Sequence, residues 1–119
     1  MSQPEMKVDS DGTKQWYLNG ERHREDGPAI EYASGSKWWY LNGKRHREDG
    51  PAFEYPNGEK HWYLNGKLHR EDGPAVECVD GTKRWFFNDE EVTWQQLFRN
   101  ANGDLEKECR ILTYALTNG

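Results

Sequence analysis

Cysteine is scarce in this chain. Cys78 and Cys109 are too few for a disulfide framework, and they lack metal-pair spacing. No apolar run approaches the ~18 residues of a membrane span. The opening Met1-Ser2-Gln3-Pro4-Glu5 has neither a basic n-region nor an apolar core, so no secretory signal is expected. The only serines, Ser2, Ser10, Ser34 and Ser36, lie in terminal or turn contexts, which leaves no plausible catalytic triad. A P-loop, a dinucleotide fingerprint and a nucleophile elbow are also missing. Net charge is −5, without the positive balance of a nucleic-acid binder. Only 34% of the 119 residues are hydrophobic. Aromatics are plentiful at 13%, which argues against disorder and makes rings the material of any core. A reduced, cytoplasmic protein without cofactor or metal is expected.

The chain repeats with a period of 23 residues. Residues 12–34 read GTKQWYLNGERHREDGPAIEYAS, residues 35–57 GSKWWYLNGKRHREDGPAFEYPN, and residues 58–80 GEKHWYLNGKLHREDGPAVECVD. Fifteen of the 23 positions are identical in all three. A partial fourth unit spans 81–91 and then leaves the pattern. A fixed period of this length marks an architecture whose units bury apolar surface only against their neighbours.

Lys14-Gln15-Trp16-Tyr17-Leu18 predicts a short strand. Asn19-Gly20 follows, a strong hairpin signal because both central residues of that turn need positive φ. Glu21-Arg22-His23-Arg24 starts the return strand, and Asp26-Gly27-Pro28 interrupts it, since proline has no donor for a ladder. Ala29-Ile30-Glu31-Tyr32 resumes it, and Ser34-Gly35 turns into the next unit. Each unit is thus a hairpin, and the units join into one antiparallel sheet of about seven strands. Met6-Lys7-Val8 predicts a lone terminal strand, slipped by one residue. Alternation places Trp16 and Leu18 on one face with their equivalents, and Ile30, Tyr32, Phe53, Tyr55, Val76 and Cys78 are expected to join them. The other face carries Gln15 and a candidate binding column: Tyr17, Trp38, Tyr40, His61, Tyr63, Arg84 and Phe86.

Residues 92–119 turn helical. Thr93 is a candidate N-cap before Trp94, Leu97 and Phe98, and Asp104 caps a second helix. Its expected apolar stripe is Leu105, Cys109, Leu112 and Leu116, with Ile111 beside it. The pair is expected to cap a sheet edge or cover one face. It could instead, or also, dock a partner or another copy of the chain. The fold class is therefore mainly β, a repeat antiparallel sheet over residues 1–91 closed by a helical cap over 92–119.

The unit resembles a MORN repeat of the divergent MORN-variant type. The resemblance rests on Tyr17-Leu18-Asn19-Gly20-Glu21-Arg22-His23, on Tyr40 to His46 and on Tyr63 to His69, and covers about residues 12–91. The family usually follows the histidine with Gly-x-Gly, where this chain has the longer Arg-Glu-Asp-Gly-Pro-Ala. The resemblance implies a single elongated sheet used for protein or lipid contact, without catalysis. The company such repeats keep implies an inhibitor, an antitoxin-like partner or a phage-encoded anti-host-defence factor.

Two constellations admit competing readings. The rows His23–Asp26, His46–Asp49 and His69–Asp72 could serve a metal-dependent hydrolase. However, equivalent residues lie roughly 10 Å apart, two strand spacings, so successive rows cannot share one ion. Asx turns, an arginine pairing with carboxylate and a histidine filling the hairpin shoulder account for them structurally. The aromatic column could be cross-strand packing, a protein-binding face or a platform for single-stranded bases. Unit charges of −1, +1 and −2 form no basic stripe, which weighs against nucleic acid. The expectation is a non-enzymatic protein-binding module.

Overall fold

A computed structural model describes residues 3–117. β1 (Glu5–Val8) pairs antiparallel with β2 (Lys14–Leu18), which opens the first unit. That unit continues with β3 (Glu21–Arg22) and β4 (Ile30–Glu31). The second contains β5 (Lys37–Trp38), β6 (Tyr40–Leu41), β7 (Lys44–Arg45) and β8 (Phe53–Glu54). The third contains β9 (Lys60–His61), β10 (Tyr63–Leu64), β11 (Lys67–Leu68) and β12 (Val76–Glu77). β13 (Lys83–Phe87) and β14 (Glu90–Val92) form the partial fourth unit.

The main sheet runs β1-β2-β4-β5-β8-β9-β12-β13-β14, every pair antiparallel. Nine strands at ~4.8 Å span roughly 40 Å, consistent with a longest dimension of 45 Å. With β3 paired to β2 beside this path the sheet has ten strands against the expected seven, while β6 pairs only with β7 and β10 only with β11, so the strands do not all join one sheet. The turns form as their residues require: Asn19, Asn42 and Asn65 have φ of 52°, 50° and 50°, each followed by a glycine with positive φ.

The return strand of each hairpin is split. β3 pairs with Tyr17 and Leu18 while β4 pairs with Lys14 and Gln15, so residues 23–29 leave the sheet as a bulge opposite Trp16. The Trp16 backbone brackets this gap, donating to Ala29 O at 2.8 Å and accepting from His23 N at 3.1 Å. The bulge folds back over the tryptophan. Arg24 Cζ lies 3.9 Å from the Trp16 ring centre, Arg47 4.0 Å from Trp39 and Arg70 3.9 Å from Trp62. Each guanidinium is fixed from the side. Arg24 donates to Asp26 at 3.0 Å, to Pro28 O at 3.2 Å and to Glu31 at 2.9 Å, and Arg47 repeats the set with Asp49, Pro51 O and Glu54. Arginine suits this role because its flat fork can stack and donate in its plane at once.

The bulge also reverses the expected face of the second strand. Gln15 opposes Ile30, which opposes Trp38; Trp38 opposes Phe53, which opposes His61. Directly opposed residues share a face. Ile30, Phe53 and Val76 therefore belong with Tyr17 and Trp38, across the sheet from Trp16. Alternation cannot be counted through seven residues that leave the sheet. Ile30, Phe53, Val76 and Phe86 are buried there, and Cys78 is half-buried against the same cluster. At the N-terminus Lys7 takes the slot of Ile30, which puts Met6 and Val8 on the Trp16 face and leaves both exposed.

Helix α1 (Trp94–Ala101) starts with a capping box in which Thr93 and Gln96 satisfy each other's backbone N–H, and ends at Asn102 in the left-handed conformation. Helix α2 (Leu105–Thr117) packs against it, and Asp104 Oδ1 accepts from Lys107 N. Leu97, Ile111 and Ala115 are buried. The expected stripe of α2 is misphased: Leu105, Cys109 and Leu116 are exposed, Leu112 is half-buried, and the packed face centres on Ile111 and Ala115. The helices enter where a fourth bulge would stand, since Thr93 follows Trp85 by the same eight residues that separate Arg24 from Trp16. Trp85, Trp94, Tyr114 and Ala115 line a common cavity, which places the pair on the bulge face. Among the described residues, no helix is long and apolar enough to cross a membrane.

Gly50 explains its own identity. A Cβ there would sit 2.9 Å from Arg47 Cζ, so the guanidinium would have to shift from its place over Trp39. Gly50→Ala is expected to destabilise the protein by about 1–3 kcal/mol, from the lost stack and its hydrogen bonds. Urea unfolding checks this; an unchanged midpoint would show that the close approach is unimportant.

Candidate interaction surface

The structure gathers Trp38, Tyr40, His61 and Tyr63 into one patch. The Trp38 ring stacks on Phe53 with centres 3.8 Å apart and planes at 19°. Phe53 meets Tyr55 edge-on at 4.1 Å and His61 edge-on at 5.6 Å. Tyr40 and Tyr63 lie 6.1 and 6.0 Å from Trp38. Arg45 sits between rings, 4.4 Å from Trp38 and 5.4 Å from Tyr63. The Tyr40 side chain, first among its neighbours, holds Arg45 above the ordinary arginine value despite partial burial. Arg22 covers Tyr40 in the same way at 5.7 Å.

The rest of the candidate column behaves differently. Tyr17 lies toward the N-terminus, donating to Gln15 Oε1 at 2.6 Å with Lys7 over its ring. His61 pairs with Glu59 at 2.9 Å. Arg84 binds Glu91 through two hydrogen bonds of 2.9 and 3.0 Å, and each holds the other in its charged form. Phe86 does not belong to the surface: it is only 7% exposed and packs with Ala75 and Val76. Arg22, Arg45, Phe53 and Tyr55 join this face, although the expected column did not include them. The cross-strand register, which only the structure supplies, brings them to this face.

The His-Arg-Glu-Asp rows serve another purpose. His23 Nδ1 accepts from Asn42 N–H at 2.9 Å, His46 Nδ1 from Asn65 N–H at 2.9 Å and His69 Nδ1 from Asn88 N–H at 3.0 Å. Each ring thereby ties one bulge to the hairpin turn of the next unit. An accepting Nδ1 implies a proton on Nε2, which faces Glu25, Glu48 or Glu71 at 3.7, 3.9 and 3.2 Å. Among the described residues, no group of three or more His, Cys, Asp or Glu is arranged to hold a metal ion.

On the bulge side two clefts lie between successive bulges. The first, about 570 Å³, is lined by Glu25, Asp26, Trp39, Leu41, Glu48 and Asp49. The second, about 610 Å³, is lined by the equivalent residues one unit on, and by Lys107 and Arg110 of α2. Lys107, followed by His69, holds Glu71 below the usual carboxylate range. Burial opposes ionisation of Asp72, but Arg110 and Arg70 outweigh it and its carboxyl also lies low.

No family model matches the chain, and no curated protein or solved structure is detectably similar to it.

Removing the His23 ring should leave the Asn42 N–H without its acceptor. His23→Ala is expected to cost about 1–3 kcal/mol of stability, with faster hydrogen exchange at the Asn42 amide. Glu25→Gln, on an exposed side chain, should stay within about 0.5 kcal/mol. Equal effects of the two variants would refute the inter-unit role of the histidine.

Proposed function

We propose that this chain is a non-enzymatic protein-binding module built from MORN-variant units, and that a partner protein seats on the aromatic face. The observation that supports this most is the Trp38–Arg45–Tyr63 cluster. It lies on the face opposite the bulges and α2, and it combines rigid rings with arginine, the residue types that dominate binding hot spots. Half-buried rings held by Phe53 are already ordered, so little rotamer entropy would be lost on contact.

A nucleic-acid platform is the competing use of such a face, since Arg22 and Arg45 interleave with the rings. The local charges favour protein. Glu91 neutralises Arg84, so the cations do not join into a continuous basic track. The narrower role of an inhibitor, antitoxin-like partner or phage-encoded factor rests on the resemblance of the repeat.

Affinity capture from the native cell identifies a partner, and the purified pair then permits titration. Arg45→Glu combined with Tyr55→Ser is expected to weaken that binding at least tenfold while the protein keeps a cooperative unfolding transition. Undiminished binding by the double variant would overturn the reading. So would salt-sensitive retention on single-stranded DNA in place of any protein partner.

A further inference from the structure

The three bulges share the sequence His-Arg-Glu-Asp-Gly-Pro-Ala, but among the described residues only the third is covered by a helix. Lys107 Nζ of α2 reaches Glu71 Oε1 at 2.6 Å, and Arg110 Nη1 reaches Asp72 Oδ2 at 2.8 Å. Arg70 Nη2 donates to the Tyr114 hydroxyl at 3.0 Å, and the same guanidinium lies 4.9 Å from the Tyr114 ring. Arg70 thus touches both Trp62 on the sheet and Tyr114 on the helix. Positions 107, 110 and 114 recur at i, i+3 and i+7, one face of a helix. The third unit therefore provides, within this molecule, one example of a helix seated on a bulge of this sequence.

Among the described residues, no ion pair from α2 reaches the carboxylates of the first and second bulges, although Lys107 and Arg110 also line the cleft beside the second. The side chains of Glu25 and Asp26 are 83% and 87% exposed, and those of Glu48 and Asp49 are 85% and 87% exposed. Under the helix, the equivalent Glu71 and Asp72 fall to 47% and 25%. The arginine geometry is already set, because Arg24 and Arg47 stack on Trp16 and Trp39 at the same distance as Arg70 on Trp62. Successive bulges are two strands, roughly 10 Å, apart, which is about the diameter of a helix with its side chains. Trp39 and Leu41 line the first cleft beside the carboxylates.

We propose that the first and second bulges dock a basic amphipathic helix of a partner protein, carrying Lys or Arg at i and i+3 and an aromatic residue at i+7, as the third bulge holds α2. The carboxylates take the two cations, and the aromatic residue meets Arg24 or Arg47 as Tyr114 meets Arg70. The occupant comes from another protein because the matching face of α2 is engaged by its own chain. This surface lies across the sheet from the aromatic face and does not depend on it.

The test uses the full chain and a fluorescent, helix-stabilised peptide of residues 104–117 with Cys109→Ser. A control peptide adds Lys107→Glu and Arg110→Glu. Anisotropy should show saturable binding of the first peptide that weakens with salt, and at least tenfold weaker binding of the control. Neutralising the bulges with Glu25→Gln, Asp26→Asn, Glu48→Gln and Asp49→Asn should also weaken binding at least tenfold. The Arg45→Glu, Tyr55→Ser protein should bind the peptide like wild type, which separates this surface from the aromatic one. Equal binding of both peptides to the wild-type chain overturns the proposal without reliance on any variant. Undiminished binding by the neutralised protein overturns it too. So does a chain that dimerises in light scattering and is dissociated by the peptide, since the occupant would then be a second copy.

Discussion

An arginine stacked on a tryptophan holds each unit of this protein together. A single-layer sheet leaves large rings with little to pack against, and the hydrophobic content of the chain is too low to lay a second layer over all of it. The bulge solves this locally. It leaves the sheet opposite Trp16, Trp39 or Trp62 and returns a guanidinium to cover that ring. The carboxylate of the following strand, Glu31, Glu54 or Glu77, then holds the guanidinium in place. The proline of each bulge contributes a carbonyl acceptor, and the glycine leaves room for the arginine. The motif is thus a small polar roof, and its sequence is explained by what it covers. At the fourth tryptophan, Trp85, the helical pair takes over the same task.

Coupling between units depends on a different bond. The histidine of each bulge accepts the backbone N–H at the hairpin turn of the following unit, and ladder bonds such as Gly43 N to Arg22 O and Gly66 N to Arg45 O run alongside. Local roofs make the units, and these links make the array. The two faces are left with different chemistry. One carries rings interleaved with arginines; the other carries rows of carboxylates over stacked guanidinium groups. An extended sheet of this kind presents surface on both sides.

Much of the architecture could be read from the residues. The 23-residue period, the Asn-Gly turns, the interruption at Asp-Gly-Pro and the Thr93 cap each follow from short-range rules, and the structure contains them. What could not be read was parity across the bulge. Seven residues outside the ladder break the alternation, so Ile30, Phe53 and Val76 moved to the face opposite the one expected. The helix phase failed for a related reason. Leu105, Cys109, Leu112 and Leu116 form a regular apolar stripe, but α2 buries Ile111 and Ala115 instead, with Lys107, Arg110 and Tyr114 turned to the third bulge, contacts that depend on tertiary placement. Phe86 shares its repeat position with Tyr17, Tyr40 and Tyr63, and the closing end of the array buries it. The site was legible as a set of residue types, while its register required the sheet.

A double-mutant cycle between Trp39 and Arg47 tests the central claim most directly. Unfolding free energies of Trp39→Leu, Arg47→Gln and the double variant give the coupling of the two side chains. The account predicts a coupling of about 1 kcal/mol or more, because each single substitution already abolishes the stack. Single effects that add within about 0.3–0.5 kcal/mol would show that the guanidinium and the ring are merely neighbours, and would contradict it.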